Sequence, residues 1–237
     1  MGRRRRKMEL RQPSGLWLAT DGPTRFTCHM RIGIVGAGLI GGTLAGSLPG
    51  IGHTILLANS RGPESLRQKV ASLGPNVSAS TVAEAAAADL VIVTIPLGAV
   101  TQLPAAVFAG RTVVDTCNYY PDRDGRFPEL DSASTTSSEL VGRHLPGARL
   151  VKAFNTIYFE RLRDGGRPDL PIHDRLAIPV ASDDEEAKAT VSRLIEDLGF
   201  APVDNGSLAN GGRQEPGTAV YNVPVGPAEA RQLLGIA

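Results

Sequence analysis

The chain has 237 residues, 42% hydrophobic and 21% charged, which is the balance of a globular protein large enough to bury a sizeable core. Its formal net charge of +1 hides an uneven distribution: residues 1–29 hold seven Lys/Arg against two acids, +5 by themselves, which leaves about −4 for the remainder. A mildly acidic body argues against nucleic acid as a partner, and two cysteines are too few for a disulfide framework; no apolar run approaches the roughly 20 residues of a bilayer span.

Residues 1–29 include the run Arg3 to Lys7, the lone Trp17 and Cys28, without the apolar core of a signal peptide. They are read as a disordered tail or a mis-assigned start ahead of Met30, and the chain as a soluble, cytoplasmic protein. The first strand is expected straight after Met30. It runs into Gly36-Ala37-Gly38-Leu39-Ile40-Gly41, the G-x-G-x-x-G spacing of a dinucleotide-binding turn. Gly36 lets the chain turn sharply out of the strand, Gly38 has no side chain to hold the backbone away from a pyrophosphate, and Gly41 lets the helix pack against the strand. A phosphate there would meet free N–H groups and the positive end of the helix dipole.

A second strand, Thr54 to Ala58, ends in Asn59-Ser60-Arg61, about twenty residues past the turn, where proteins that prefer NAD place an acid on the ribose hydroxyls. No acid stands here. Asn59, Ser60 and Arg61 offer donors and a positive charge instead, which suits the 2′-phosphate of NADP. A helix is predicted through Ser65 to Leu73, a short strand near Val77, and a helix over Val82 to Ala87. Leu90 to Ile95 then reads as a strand buried on both faces of a parallel sheet. It exits into Thr94-Ile95-Pro96, at the carboxyl edge where doubly wound sheets bind ligands, a candidate floor for the nicotinamide end.

A fifth strand, Thr112 to Asp115, opens into the long polar loop Thr116 to Gly125. In it Asn118 can hydrogen-bond a ligand, Tyr119 and Tyr120 can stack on a flat ring or close a lid, and Cys117 is expected to be a small buried filler. Thr136 to Glu139 has a capping-box pattern for a helix reaching His144, followed by strand Leu150 to Phe154. Residues 158 to 175, rich in Arg, Asp, Gly and Pro, are expected to be a flexible excursion. The rhythm resumes with strand Ala177 to Ala181, a second capping box at Ser182 to Glu185, a helix to Leu198 and strand Ala201 to Asp204. Gly211-Gly212 and Pro216-Gly217 are expected to break regular structure before a last short helix from Pro227. The alternation predicts a doubly wound (Rossmann) α/β fold over residues 30–157 with a small C-terminal α/β extension over 158–237. Four histidines, His29, His53, His144 and His173, show no ligand spacing, so no metal is expected.

The glycine turn, Asn59-Ser60-Arg61-Gly62-Pro63-Glu64, Val151-Lys152-Ala153-Phe154-Asn155-Thr156-Ile157 and Pro179 to Ala187 together resemble the NADP oxidoreductases that depend on coenzyme F420. The resemblance covers about residues 30 to 208. It implies an NADP(H) domain and direct hydride passage between nicotinamide and deazaflavin, with no catalytic acid. It also places Ser60 and Arg61 at the 2′-phosphate, Thr94 to Pro96 beside the nicotinamide, and Ala153, Asn155, Thr156 and Ile157 against the deazaflavin. A homodimer is implied by the resemblance alone. The family's helix after Leu208, which finishes the second pocket, is replaced here by Gly211-Gly212-Arg213-Gln214-Glu215-Pro216. The membrane metalloreductases called STEAP proteins have a similar cytosolic domain, without their spanning segments here. The competing expectations are an NADPH-dependent reductase of a small imine or carbonyl compound, with Lys152, Tyr119 or Tyr120 as proton donor, and a non-catalytic NADP-binding protein.

Overall fold

A computed structural model describes residues 29–236, so the basic run, Trp17 and Cys28 lie outside the described residues. Strands and helices alternate from the start: β1 (Arg31–Val35), α1 (Leu39–Ser47), β2 (Thr54–Ala58), α2 (Arg67–Leu73), β3 (Val77–Ser80), α3 (Val82–Ala86), β4 (Leu90–Val93) and β5 (Thr112–Asp115). Two single-turn helices, α4 (Pro121–Asp124) and α5 (Pro128–Asp131), precede α6 (Ser137–His144) and β6 (Arg149–Lys152). Beyond them come α7 (Phe159–Asp164), β7 (Ala177–Val180), α8 (Glu185–Asp197), β8 (Ala201–Asp204) and α9 (Pro227–Leu234).

The first six strands form one parallel sheet in the order β3-β2-β1-β4-β5-β6, a doubly wound Rossmann sheet. The strand order reverses between β1 and β4, and the crevice at their carboxyl ends is where such sheets take ligands. Alternation within each strand supplies both faces: Ile32, Ile34, Leu90 and Ile92 enter one apolar cluster, Val35, Val91 and Val93 the other. All four residues of β4 are at most 1% exposed. Burial of each such side chain stabilises by roughly 1.5–3 kcal/mol, which is why a run with no polar residue is central. A Cβ on Gly33 would lie 1.9 Å from the Ala85 carbonyl oxygen, so α3 rests directly on the β1 backbone.

Strands β7 and β8 form a separate parallel pair joined to the end of β6 by one antiparallel bridge, Lys152 to Ala181. Three expectations are corrected in this half. Residues 158–175 are ordered rather than a flexible excursion: α7 packs on α1 with Leu162 buried, and the Arg175 guanidinium donates to the carbonyls of Leu170, Glu196 and Pro168. The cap of α8 is Asp184, which accepts from the Ala187 N–H at 2.9 Å, not Ser182. The buried Ser182 hydroxyl needs a partner of its own and donates to the Leu150 carbonyl at 2.7 Å. Residues Leu208–Gln214 form a 3₁₀ helix despite Gly211-Gly212. The predicted box at Thr136 is present, with reciprocal bonds to Glu139. Among the described residues no helix is long and apolar enough to cross a membrane, and none of their His, Cys, Asp or Glu form a group of three able to hold a metal.

Candidate functional site

The turn between β1 and α1 is built by its glycines. Gly36 has φ +118°, and a Cβ there would come within 2.2 Å of the Thr94 carbonyl oxygen. A Cβ on Gly41 would come within 2.0 Å of the Gly36 carbonyl oxygen. Gly38 is different, because nothing lies within 4 Å of where its Cβ would be. The helix has no side-chain cap and no acid in its first turn, so the leading N–H groups remain available. Lys69 of α2 donates from Nζ to the Ala37 carbonyl at 2.6 Å and pins the turn from the side.

From this turn a long cleft of ≈ 740 Å³ extends along the carboxyl edge of β2. Gly36, Ala37 and Gly38 line it together with Asn59, Ser60 and Arg61. Asn59 shapes the second of these stretches: its Oδ1 accepts the Arg61 N–H at 3.0 Å while its amide donates to Ser65 Oγ at 2.9 Å. Arg61 is exposed, and its guanidinium has no ion-pair partner among the described residues. A dianion placed here would find a free cation and no competing carboxylate.

A second cleft of ≈ 330 Å³ adjoins the first. Thr94, Ile95 and Pro96, together with Gly38, line both clefts. Apolar surface from Leu39, Ile40 and Ile157 faces amides and hydroxyls from Asn118, Tyr120 and Tyr221. Phe154, fully buried, adopts φ +59°, a strained conformation for a bulky residue that turns the chain sharply at this cleft. The amide groups are fixed by one another. Asn118 donates to the Asn155 carbonyl at 2.9 Å, Asn155 donates to Asn118 Oδ1 at 3.0 Å and to the Gln214 carbonyl at 2.7 Å, and Gln214 donates back to Asn155 Oδ1 at 2.9 Å.

The loop after β5 is held as firmly. The Asp124 side chain accepts from the Tyr120 N–H at 2.9 Å and from the Gly98 N–H at 3.3 Å, and Arg123 grips it with two nitrogens. Burial alone would push its carboxyl up, but the Arg123 and backbone hydrogen bonds hold it below the ordinary carboxylate value. The Arg123 guanidinium lies over the Tyr120 ring, 4.8 Å from its centre. Burial pushes the Cys117 thiol well up, so this cysteine is an inert filler as expected.

Fourteen of the seventeen residues expected at the site line one cleft or both. Gly41 sits behind the turn, and Ala153 and Thr156 are buried beneath the second wall, so these three have supporting positions. Lys152 is not at the cleft. It is fully buried, bonded to Asp115, Ser137 and the Cys117 carbonyl, because an ammonium inside the fold must spend its donors there. Tyr119 also turns away: its hydroxyl donates to Asp131 at 2.9 Å and accepts from the Phe127 N–H. Sequence reasoning missed Tyr221 and Asn222, which finish the second wall where the family's helix was expected. Only their distance along the chain, with no motif around them, marks these two residues. It also missed Tyr158 and Phe159, hidden in the segment read as flexible.

Residues 31–119 match the family described as NADP oxidoreductase coenzyme F420-dependent. Among curated proteins, the metalloreductase STEAP3 of Rattus norvegicus is 31% identical over 189 residues, covering 76% of this chain and 34% of that protein. The chain thus spans about a third of the length of the curated relative it matches. A solved structure of a hypothetical protein from Sinorhizobium meliloti is 31% identical with a TM-score of 0.73, covering 84% of this chain and 96% of that one. Another from Arthrobacter sp. FB24, described as a candidate F420-dependent NADP-reductase, is 29% identical with a TM-score of 0.63 over 75% of this chain and 85% of that one.

Proposed function

Over residues 31–119 the chain belongs to the F420-dependent NADP oxidoreductase family, and from that premise we propose that it transfers a hydride between NADPH and the deazaflavin ring of coenzyme F420. The observation that carries this reading is the shared lining: Gly38, Thr94, Ile95 and Pro96 border both clefts, so the clefts adjoin there and a ligand in each would meet the other beside these residues. The long cleft fits NADP(H), with the open space at Gly38 and the uncapped start of α1 for the pyrophosphate and Arg61 with Ser60 for the 2′-phosphate. The second cleft fits a flat ring, because apolar Ile40, Pro96 and Ile157 share its lining with polar Asn118, Tyr120 and Tyr221.

When bound, the two coenzymes supply the chemistry: a hydride carrying two electrons leaves the dihydronicotinamide carbon and bonds to the deazaflavin ring, which takes its balancing proton from water. The protein's part is to hold both rings beside that shared lining and to exclude water between them. No acid is needed at the reacting carbons. Of the three proton donors that the imine or carbonyl reductase reading offers, Lys152 and Tyr119 lie away from the clefts and Tyr120 alone lines the second one, so that reading rests on a single residue.

The test is to mix the purified protein with NADPH and oxidised F420 and follow the visible absorption of the deazaflavin. The band should bleach at a rate that saturates in both coenzymes. If NADPH binds and the band persists, the acceptor is a different molecule.

A further inference from the structure

Two tyrosines 101 residues apart in the chain meet at the second cleft. Tyr120, in the loop after β5, and Tyr221, in the segment before α9, have their hydroxyl oxygens in hydrogen-bond contact. Each is held in place. The Tyr120 N–H donates to Asp124 and the Arg123 guanidinium covers its ring, while Tyr221 stands between the buried Val220 and Asn222, whose N–H donates to the Thr156 carbonyl at 2.9 Å.

Their protons can be counted. Two hydroxyls carry two protons, and one hydrogen bond between the oxygens uses one of them. The Asn118 amide, 3.3 Å from the Tyr221 oxygen, can only donate to it, because Asn118 Oδ1 already accepts from Asn155. The Asn222 side chain also hydrogen-bonds the Tyr221 hydroxyl, so the O–H left without a protein acceptor at the cleft is that of Tyr120, with Tyr221 donating to it. Deeper polar groups offer less: the Asn118 and Asn155 amides and the Thr116 hydroxyl are spent on protein acceptors. Burial, with the Tyr120 bond behind it, raises the Tyr221 pKa, so Tyr221 keeps its proton in neutral solution.

We propose that the Tyr120–Tyr221 hydroxyl pair is the hydrogen-bond donor that recognises the hydride acceptor, giving its spare O–H to a carbonyl or phenolate oxygen on the rim of a flat heterocycle. This rests on the deazaflavin reading above and names the group of the chain that reads that ring. An oxygen-free ring of the same size would fill the apolar surface and leave the O–H unpaired, so the pair sets specificity as well as affinity.

The experiment is a titration of oxidised F420 into protein saturated with NADP⁺, where no turnover occurs, read by deazaflavin fluorescence and by the position of its visible band. Tyr120→Phe combined with Tyr221→Phe should weaken F420 by about 2- to 10-fold, the range of one neutral hydrogen bond. It should also return the bound band toward its position in water. Each single change should weaken less, since one hydroxyl remains but loses the partner that orients it. NADP⁺ affinity should not move. Equal F420 affinity and an unmoved band in the double variant would overturn the inference while leaving the deazaflavin reading intact. If the wild-type complex fails to bind F420 at all, that reading and this inference fall together.

Discussion

Lys152 Nζ lies 3.2 Å from Asp115 Oδ2, and both side chains are fully buried, directly behind the loop that forms the second cleft. Asp115 also accepts from the Cys117 N–H at 2.8 Å and the Ser138 hydroxyl at 2.6 Å. The pair thus ties β5, β6 and the start of α6 to one stretch of cleft wall. Removing one partner leaves a buried charge unpaired and typically costs about 3–5 kcal/mol. Lys152→Met should therefore lower unfolding stability in that range. Asp115→Asn combined with Lys152→Met should recover part of the loss, and denaturant titration of the three proteins checks this.

The glycines of the turn separate fold from ligand. Gly36→Ala should destabilise the whole protein, because φ is +118° and the new methyl would meet the Thr94 carbonyl. Gly38→Ala meets no protein atom, so its Tm should hardly change. Its methyl would still stand where the pyrophosphate approaches, and affinity for NADPH and NADH should fall together by about 10-fold or more, ~1.4 kcal/mol. Calorimetry for stability and fluorescence for binding distinguish the two effects.

Lys69 reaches across from α2 to the Ala37 carbonyl at 2.6 Å. Lys69→Met should weaken both nucleotides alike, by roughly 2- to 10-fold, since the turn it pins serves the pyrophosphate common to both. Lys69→Arg should restore most of the loss. A change confined to NADPH would place Lys69 at the 2′-phosphate instead.

Acid should loosen the loop after β5. The Asp124 carboxyl sits below its ordinary value of about 3.9 because Arg123 and backbone N–H groups favour its charged form. A depressed carboxylate contributes stability that is present above that ordinary value and is lost as pH falls through the folded one. Proteolysis between residues 116 and 125 should rise below about pH 4. Asp124→Asn should show the raised susceptibility already at neutral pH.

Much of the fold was legible because its signals are local. The continuous apolar runs of β1 and β4 and the box at Thr136 each follow from a few adjacent residues. The glycine turn and the ends of β2 and β4 were legible for the same reason. Tyr221 was not, since its role depends on a partner 101 residues away. Lys152 misled because a lysine at a strand end reads the same from sequence whether it faces a cleft or a buried carboxylate. Ser182 misled as a cap because a tertiary acceptor, the Leu150 carbonyl, claimed its hydroxyl.

The account rests on a nucleotide cleft that reads the 2′-phosphate through Arg61, whose guanidinium has no partner of its own among the described residues. The direct measurement is the dissociation constants of NADPH and NADH for wild type and Arg61→Ala at fixed ionic strength, because salt screens an exposed charge. A charge-assisted bond of this kind is worth about 1.5–3 kcal/mol, so NADPH should weaken by roughly 10- to 150-fold while NADH stays almost unchanged. Equal weakening of both nucleotides would mean that Arg61 only shapes the turn, and would contradict the assignment of NADP.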